Sequence, residues 1–163
     1  TVVICGSGTL RIDGAGIGVG GENLPYLPGL ILDDVSFSSG AIFLNERSYS
    51  GAPALFVRSG SLETDTLVLS GDLCIAGGSG TVQYLDGVKN AVFRDGSFEV
   101  NQWGDTAIPQ LILSGGDATC TDWLPQGTSI EVGAGTMTAN GIRYWDTVHV
   151  YDGGKIVDLM DET

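Results

Sequence analysis

Five aromatic residues keep a regular interval along this chain. Tyr84, Trp103, Trp123 and the pair Tyr144-Trp145 are separated by 19, 20 and 21 positions. Flat neutral rings at a fixed repeat suit stacking on the C–H faces of sugars, and Trp suits it best. The same rings could instead plug the inside of a repeating fold, each indole N–H meeting a loop carbonyl. The choice turns on whether they point outward. The only histidine, His149, lies in Val148-His149-Val150. Apolar neighbours at period two make it an outward strand residue, and no nucleophile stands with it as a catalytic pair. Gly16-Ile17-Gly18-Val19-Gly20-Gly21 spells GxGxxG but runs into Glu22-Asn23-Leu24-Pro25 rather than a helix. A dinucleotide loop therefore fails in context.

Carboxylates are plentiful. Asp33-Asp34, Asp72, Asp95, Asp105, Asp117, Asp122, Asp146 and Asp152 mostly touch glycines or strand ends. That is turn chemistry. Where some align between repeats, their oxygens could hold Ca²⁺, the one cofactor the sequence admits. The nonapeptide calcium repeat is not supported, since Gly77-Gly78-Ser79-Gly80-Thr81 continues with Val82 instead of Asp. Cys5, Cys74 and Cys120 include no CxxC. Each sits in an apolar triplet, so all three are expected to be unpaired and mostly buried.

Charge narrows the partners. A net charge of −13 over 163 residues repels nucleic acid and anionic lipid. No apolar run is long enough to span a membrane as a helix. No signal peptide is visible; Thr1 opens directly into a strand without Met. The expectation is one domain over residues 1–163, a fragment of a larger surface or secreted protein.

The elements that must position the rings are short. Apolar triplets begin at Leu30, Leu55, Leu73, Ala91, Leu111, Ile130 and Val148, at separations of 25, 18, 18, 20, 19 and 18. Glycine marks near 20, 40, 60, 80, 96, 116, 135 and 154 drift with them. A fixed period in this range means a solenoid. No segment carries helical periodicity, and the 26 glycines supply turns. Each period holds about three strand-like pieces. The reading is an all-β, single-stranded parallel β-helix of roughly eight rungs ~4.8 Å apart, with about 19–20 residues and three short strands per rung. Insertions at Gly20–Gly29, Asn45–Pro53, Asn101–Pro109 and Thr121–Gly127 hold all five prolines and should fall on one face. The end rungs are open edges. A flanking domain or self-association is expected at the N-terminal end, and a cap from Asp158–Thr163 at the other.

Gly6-Ser7-Gly8-Thr9-Leu10-Arg11-Ile12-Asp13-Gly14, followed by Gly29-Leu30-Ile31-Leu32-Asp33-Asp34-Val35, resembles the glycine-rich repeats of bacterial extracellular right-handed parallel β-helix proteins of the pectate-lyase-like superfamily, carbohydrate-binding type. The resemblance implies a right-handed coil, an extracellular or cell-surface location and a polysaccharide partner. Lyases of that superfamily use an acidic calcium cluster with an arginine base. Arg58 and Arg94 lie near strand ends, but no such cluster can be placed on a shared face. The expected function is a noncatalytic carbohydrate-binding or adhesive module, with Tyr84, Trp103, Trp123, Tyr144 and Trp145 as its ligand-binding ladder. Two alternatives stay open: a purely structural surface or fibre solenoid, and a polysaccharide lyase-like enzyme.

Overall fold

The structure, a computed structural model, describes residues 2–12, 29–45, 53–142 and 147–160. Among them are twelve strands and no helix. The strands are β1 (Val2–Ile12), β2 (Leu30–Asn45), β3 (Leu55–Val57), β4 (Gly60–Ile75), β5 (Ser79–Phe93) and β6 (Ser97–Trp103). They continue as β7 (Gln110–Leu113), β8 (Asp117–Trp123), β9 (Ser129–Val132), β10 (Gly135–Asn140), β11 (Thr147–Val150) and β12 (Gly154–Asp158). All belong to one sheet, and the pairings from β1–β2 through β10–β12 are parallel. This is the arrangement of a β-helix or solenoid.

The register resolves into three ladders. In the first, Val2, Leu30, Leu55, Leu73, Ala91, Leu111, Ile130 and Val148 stand one above another. The seven expected triplets are its second to eighth members. In the second ladder the stack is Leu10, Phe37, Leu62, Gly80, Phe98, Ala118, Met137 and Ile156. The third is shorter and carries Ile42, Leu67, Leu85 and Trp103. Beyond β6 that side is made by residues 104–109 and 124–128, with one pair, Trp123 opposite Asn140. Strands are also longer than the expected short pieces. β2 and β4 have 16 residues and β5 has 15, because hydrogen bonding to the next rung continues around the corners.

Alternation fills the inside. Buried Leu30, Leu32, Phe37, Leu62, Leu67, Leu73, Ile75, Leu85 and their stack partners form one core. Gly80 is part of it for want of a side chain: a Cβ there would run into the Phe98 ring. That ring also meets Phe93 at 5.8 Å between centroids, tilted 47°. The corner between the first two ladders belongs to a different set of glycines, Gly60, Gly78, Gly96, Gly116 and Gly135, all at positive φ. At Gly78 (φ 81) and Gly96 (φ 84) any Cβ would strike the carbonyl of the glycine one rung before. The repeat therefore demands glycine here twice over, for conformation and for space.

Polar side chains tie the rungs at the next corner. Asn101 donates to Gln83, Thr121 Oγ1 donates to Asn101 O at 3.0 Å, and Asn140 Nδ2 donates to Thr121 O at 3.2 Å. Inside the same corner Ser39, Thr64 and Cys120 occupy one column. Each donates to the carbonyl two residues on, at 3.1, 3.2 and 2.9 Å.

The thiols depart in part from expectation. All three are free, Cys74 and Cys120 are buried, and Cys5 is exposed. Cys5 lies in β1, the edge strand of the first rung, and among the described residues it has a strand neighbour, Asp33, on one side. Cys74 is the middle residue of its triplet and so belongs to the outward column, not the inward one. It is shielded because Phe56 and Val92 flank it in register.

Both ends present apolar surface. Val2, Val3 and Leu10 are exposed at one end, and Val150, Tyr151, Leu159 and Met160 at the other. The chain after β12 turns back onto β10: Asp158 Oδ1 accepts from Gly141 N at 2.9 Å and from Met160 N at 3.0 Å. Residues 161–163 of the expected cap lie outside the described residues, as does Gly16–Gly21.

Candidate functional site

The aromatic ladder does not form one platform. Trp103 is in the core, 8 % exposed, at the end of the Ile42–Leu67–Leu85 stack. Tyr84 faces the other way, because its register partner is Gln102. The rung between them has 18 residues and the rings are 19 apart, and a slip of one residue moves a side chain to the opposite face. Trp123 is 40 % exposed. Its ring sits over Gly141, where a Cβ would stand 2.7 Å from Trp123 Cζ3 and 2.9 Å from Met160 Sδ. Tyr144 and Trp145 lie outside the described residues. Of the rings described, Tyr84 and Trp123 reach the surface and Trp103 does not.

Trp103 Nε1 is buried without a hydrogen-bond partner among the described residues. Its neighbour Cys120 has a thiol pKa pushed up to about 12, chiefly by burial, against the pull of the Asp122 backbone and the Trp103 indole. The pair is a packing contact, with no thiolate at neutral pH. The Tyr84 hydroxyl reaches Asp86 Oδ2 at 3.5 Å. Desolvation first, and then the negative charges of Asp86 and Asp105, raise its pKa, so the phenol stays neutral and able to donate.

The outward side of the second ladder carries a feature the ring spacing gave no hint of. Two columns of mostly polar residues, rich in Ser and Thr, run along it. One reads Thr9, Ser36, Ser61, Ser79, Ser97, Asp117, Thr136, Lys155. The other, two residues further along each strand, reads Arg11, Ser38, Glu63, Thr81, Glu99, Thr119, Thr138, Val157. The signal was present in the sequence as Ser-x-Ser, Ser-x-Glu, Ser-x-Thr, Asp-x-Thr and Thr-x-Thr at period two, shortly after each triplet from Leu30 to Ile130.

Two depressions open on this face. The smaller, about 130 Å³, lies over Gly80 and Phe98 among Ser79, Thr81, Ser97, Glu99, Asp117 and Thr119. The larger, about 390 Å³, lies at the corner of the first three rungs, between Arg11, Ser38, Glu63 and Asp65, with Ser39 and Thr64 beneath. Such surfaces offer many donors and acceptors in a fixed repeat and little apolar area. They suit ligands rich in hydroxyl groups.

Arg58, near the end of β3, has two neighbours of its own. It pairs with Asp33 at 3.6 Å and lies over the Phe56 ring, 5.3 Å from its centroid. Among the described residues no group of three or more His, Cys, Asp or Glu comes together as a metal site. His149 is exposed on β11 beside Glu131 of β9. Among the described residues no helix is long and apolar enough to cross a membrane. Comparison with protein-family models, with curated proteins and with solved structures finds no match to this chain.

Proposed function

We propose that this chain is a noncatalytic carbohydrate-binding or adhesive module of a secreted or cell-surface protein, built as a right-handed parallel β-helix of the pectate-lyase-like type. The carrying observation is the double column of hydroxyls and carboxylates on the second ladder. A polysaccharide lying along the axis meets the same pair of positions every ~4.8 Å, one rung at a time. Trp123 and Tyr84, on the neighbouring face, supply rings for stacking at the edge of that surface. The net charge of −13 favours neutral or cationic chains over polyanions. The right hand follows from the general rule that parallel crossovers are right-handed; an experimental structure with a left-handed coil would overturn it.

A glycan array on the purified chain, with and without EDTA, tests the reading. Binding to extended neutral glycans, weakened several-fold by Ser97→Ala with Thr119→Ala, is the expected result. An array with no bound glycan in either buffer removes the proposal. One observation favours a second reading, a structural solenoid that assembles end to end: among the described residues β1 is an edge strand, with exposed Val2, Val3 and Leu10.

A further inference from the structure

We infer that the corner groove of the first three rungs is a subsite for a hexosamine residue with a free amine. This rests on the carbohydrate-binding reading and names the sugar class within it. The groove, about 390 Å³, is large enough for a sugar-sized ligand. Register places its parts: Ser38 stands between Arg11 and Glu63, and Ser39 between Ile12 and Thr64. Asp65 and Gly40 follow at the bend.

The chemistry is mixed in a way that selects. Ser39 and Thr64 are 6 % and 3 % exposed, so the floor is fixed. Each hydroxyl is tied, inside the corner, to the carbonyl two residues on, which fixes the backbone beneath the groove. Ser38 adds a hydroxyl on the wall, beside the Arg11 guanidinium. Glu63 and Asp65 give two carboxylates against one guanidinium. An ammonium is attracted there, and a uronate or phosphate meets two negative charges. A purely apolar ligand has little to pack on, since among the described residues Ile12 is the one large apolar residue lining the groove. Ser38 for the sugar hydroxyls and two carboxylates for an amine together describe an amino sugar.

The test is titration calorimetry of the whole chain with a β-1,4-glucosamine tetramer and with its fully N-acetylated form. Because a −13 protein attracts any cation, the titration is run at low salt and again at 0.3 M salt, roughly twice physiological strength. The expected result is binding of the free amine that survives salt and weakens about tenfold in Glu63→Gln and in Asp65→Asn. Glu131→Gln removes the same charge from the first ladder and should leave affinity unchanged. Binding that vanishes with salt, or that all three variants share, overturns the groove assignment. Binding of neutral glycans on the array without binding of the glucosamine tetramer overturns the amino-sugar class and leaves the module reading in place. An array with no bound glycan removes both.

Discussion

Residue identity matters most where two rungs touch. At Gly96 the backbone is left-handed at φ 84 and the preceding Gly78 carbonyl fills the space of a side chain. Gly96→Ala should cost more than the ~1 kcal/mol of an ordinary backbone substitution, because strain and clash add. Urea unfolding against Ala134→Gly, at a corner residue with ordinary φ, checks it. The two indoles should separate cleanly. Trp103→Ala should destabilise by about 3–5 kcal/mol, the range for a buried aromatic, with Trp103→Phe milder because it also removes the orphaned N–H. Trp123→Ala should leave stability within about 1–2 kcal/mol and lower glycan affinity instead. Equal thermal losses in both would contradict the burial difference. Among the thiols, Cys5 should alkylate in the native protein while Cys120, with its pKa near 12, should not. Mass spectrometry after brief iodoacetamide treatment should show one modified thiol, and three after denaturation.

At the scale of elements, strand length and corner chemistry divide the labour. The ladder Gln83–Asn101–Thr121–Asn140 holds β5, β6, β8 and β10 at one corner. The return of the chain onto β10 depends on Asp158. Burial raises its pKa, but the N–H groups of Met160, Gly141 and Ile142 outweigh that and lower it beneath the ordinary aspartate value. A depressed folded pKa means a contribution that is whole above the unfolded value and lost as pH falls through the lowered one. Asp158→Asn should therefore melt below the parent at pH 7 and converge with it in acid. A gap that widens in acid would reverse the sign and refute the assignment. The loops obey the same logic of place. Of the four expected insertions, Gly20–Gly29 and Asn45–Pro53 lie largely outside the described residues, while residues 104–109 and 124–128, from the other two, both make the third side ahead of the next triplet. Thr128 fixes the second, donating to Pro125 O at 2.7 Å while accepting from Ile108 N at 3.4 Å.

The whole molecule is a stack in which each rung is held by its neighbours, so its ends are its weakest and stickiest parts. β1 is exposed along nearly its full length, Val3 to 55 %. Sedimentation velocity should show association rising with concentration, and Val3→Lys with Leu10→Lys should suppress it. A monomer at every concentration would remove the end-to-end reading and leave the lateral polar face as the functional surface.

Much of this was legible along the chain because a solenoid repeats locally. The triplets from Leu30 to Val148 gave the first ladder in its true register, since strand pairing between successive turns preserves sequence period. Alternation placed His149 outside. The sequence could not decide the rings. Whether Trp103 or Gln102 follows Tyr84 in a column depends on a rung of 18 residues rather than 19, and one residue reverses inside and outside. Nor could it separate the corner glycines from Gly80, which look alike in a list of repeats. Only packing shows that Gly78 and Gly96 face a carbonyl while Gly80 makes room for Phe98. The double polar column and its groove arise when residues some 18 to 27 positions apart are stacked on one face. That juxtaposition exists only once the chain has coiled.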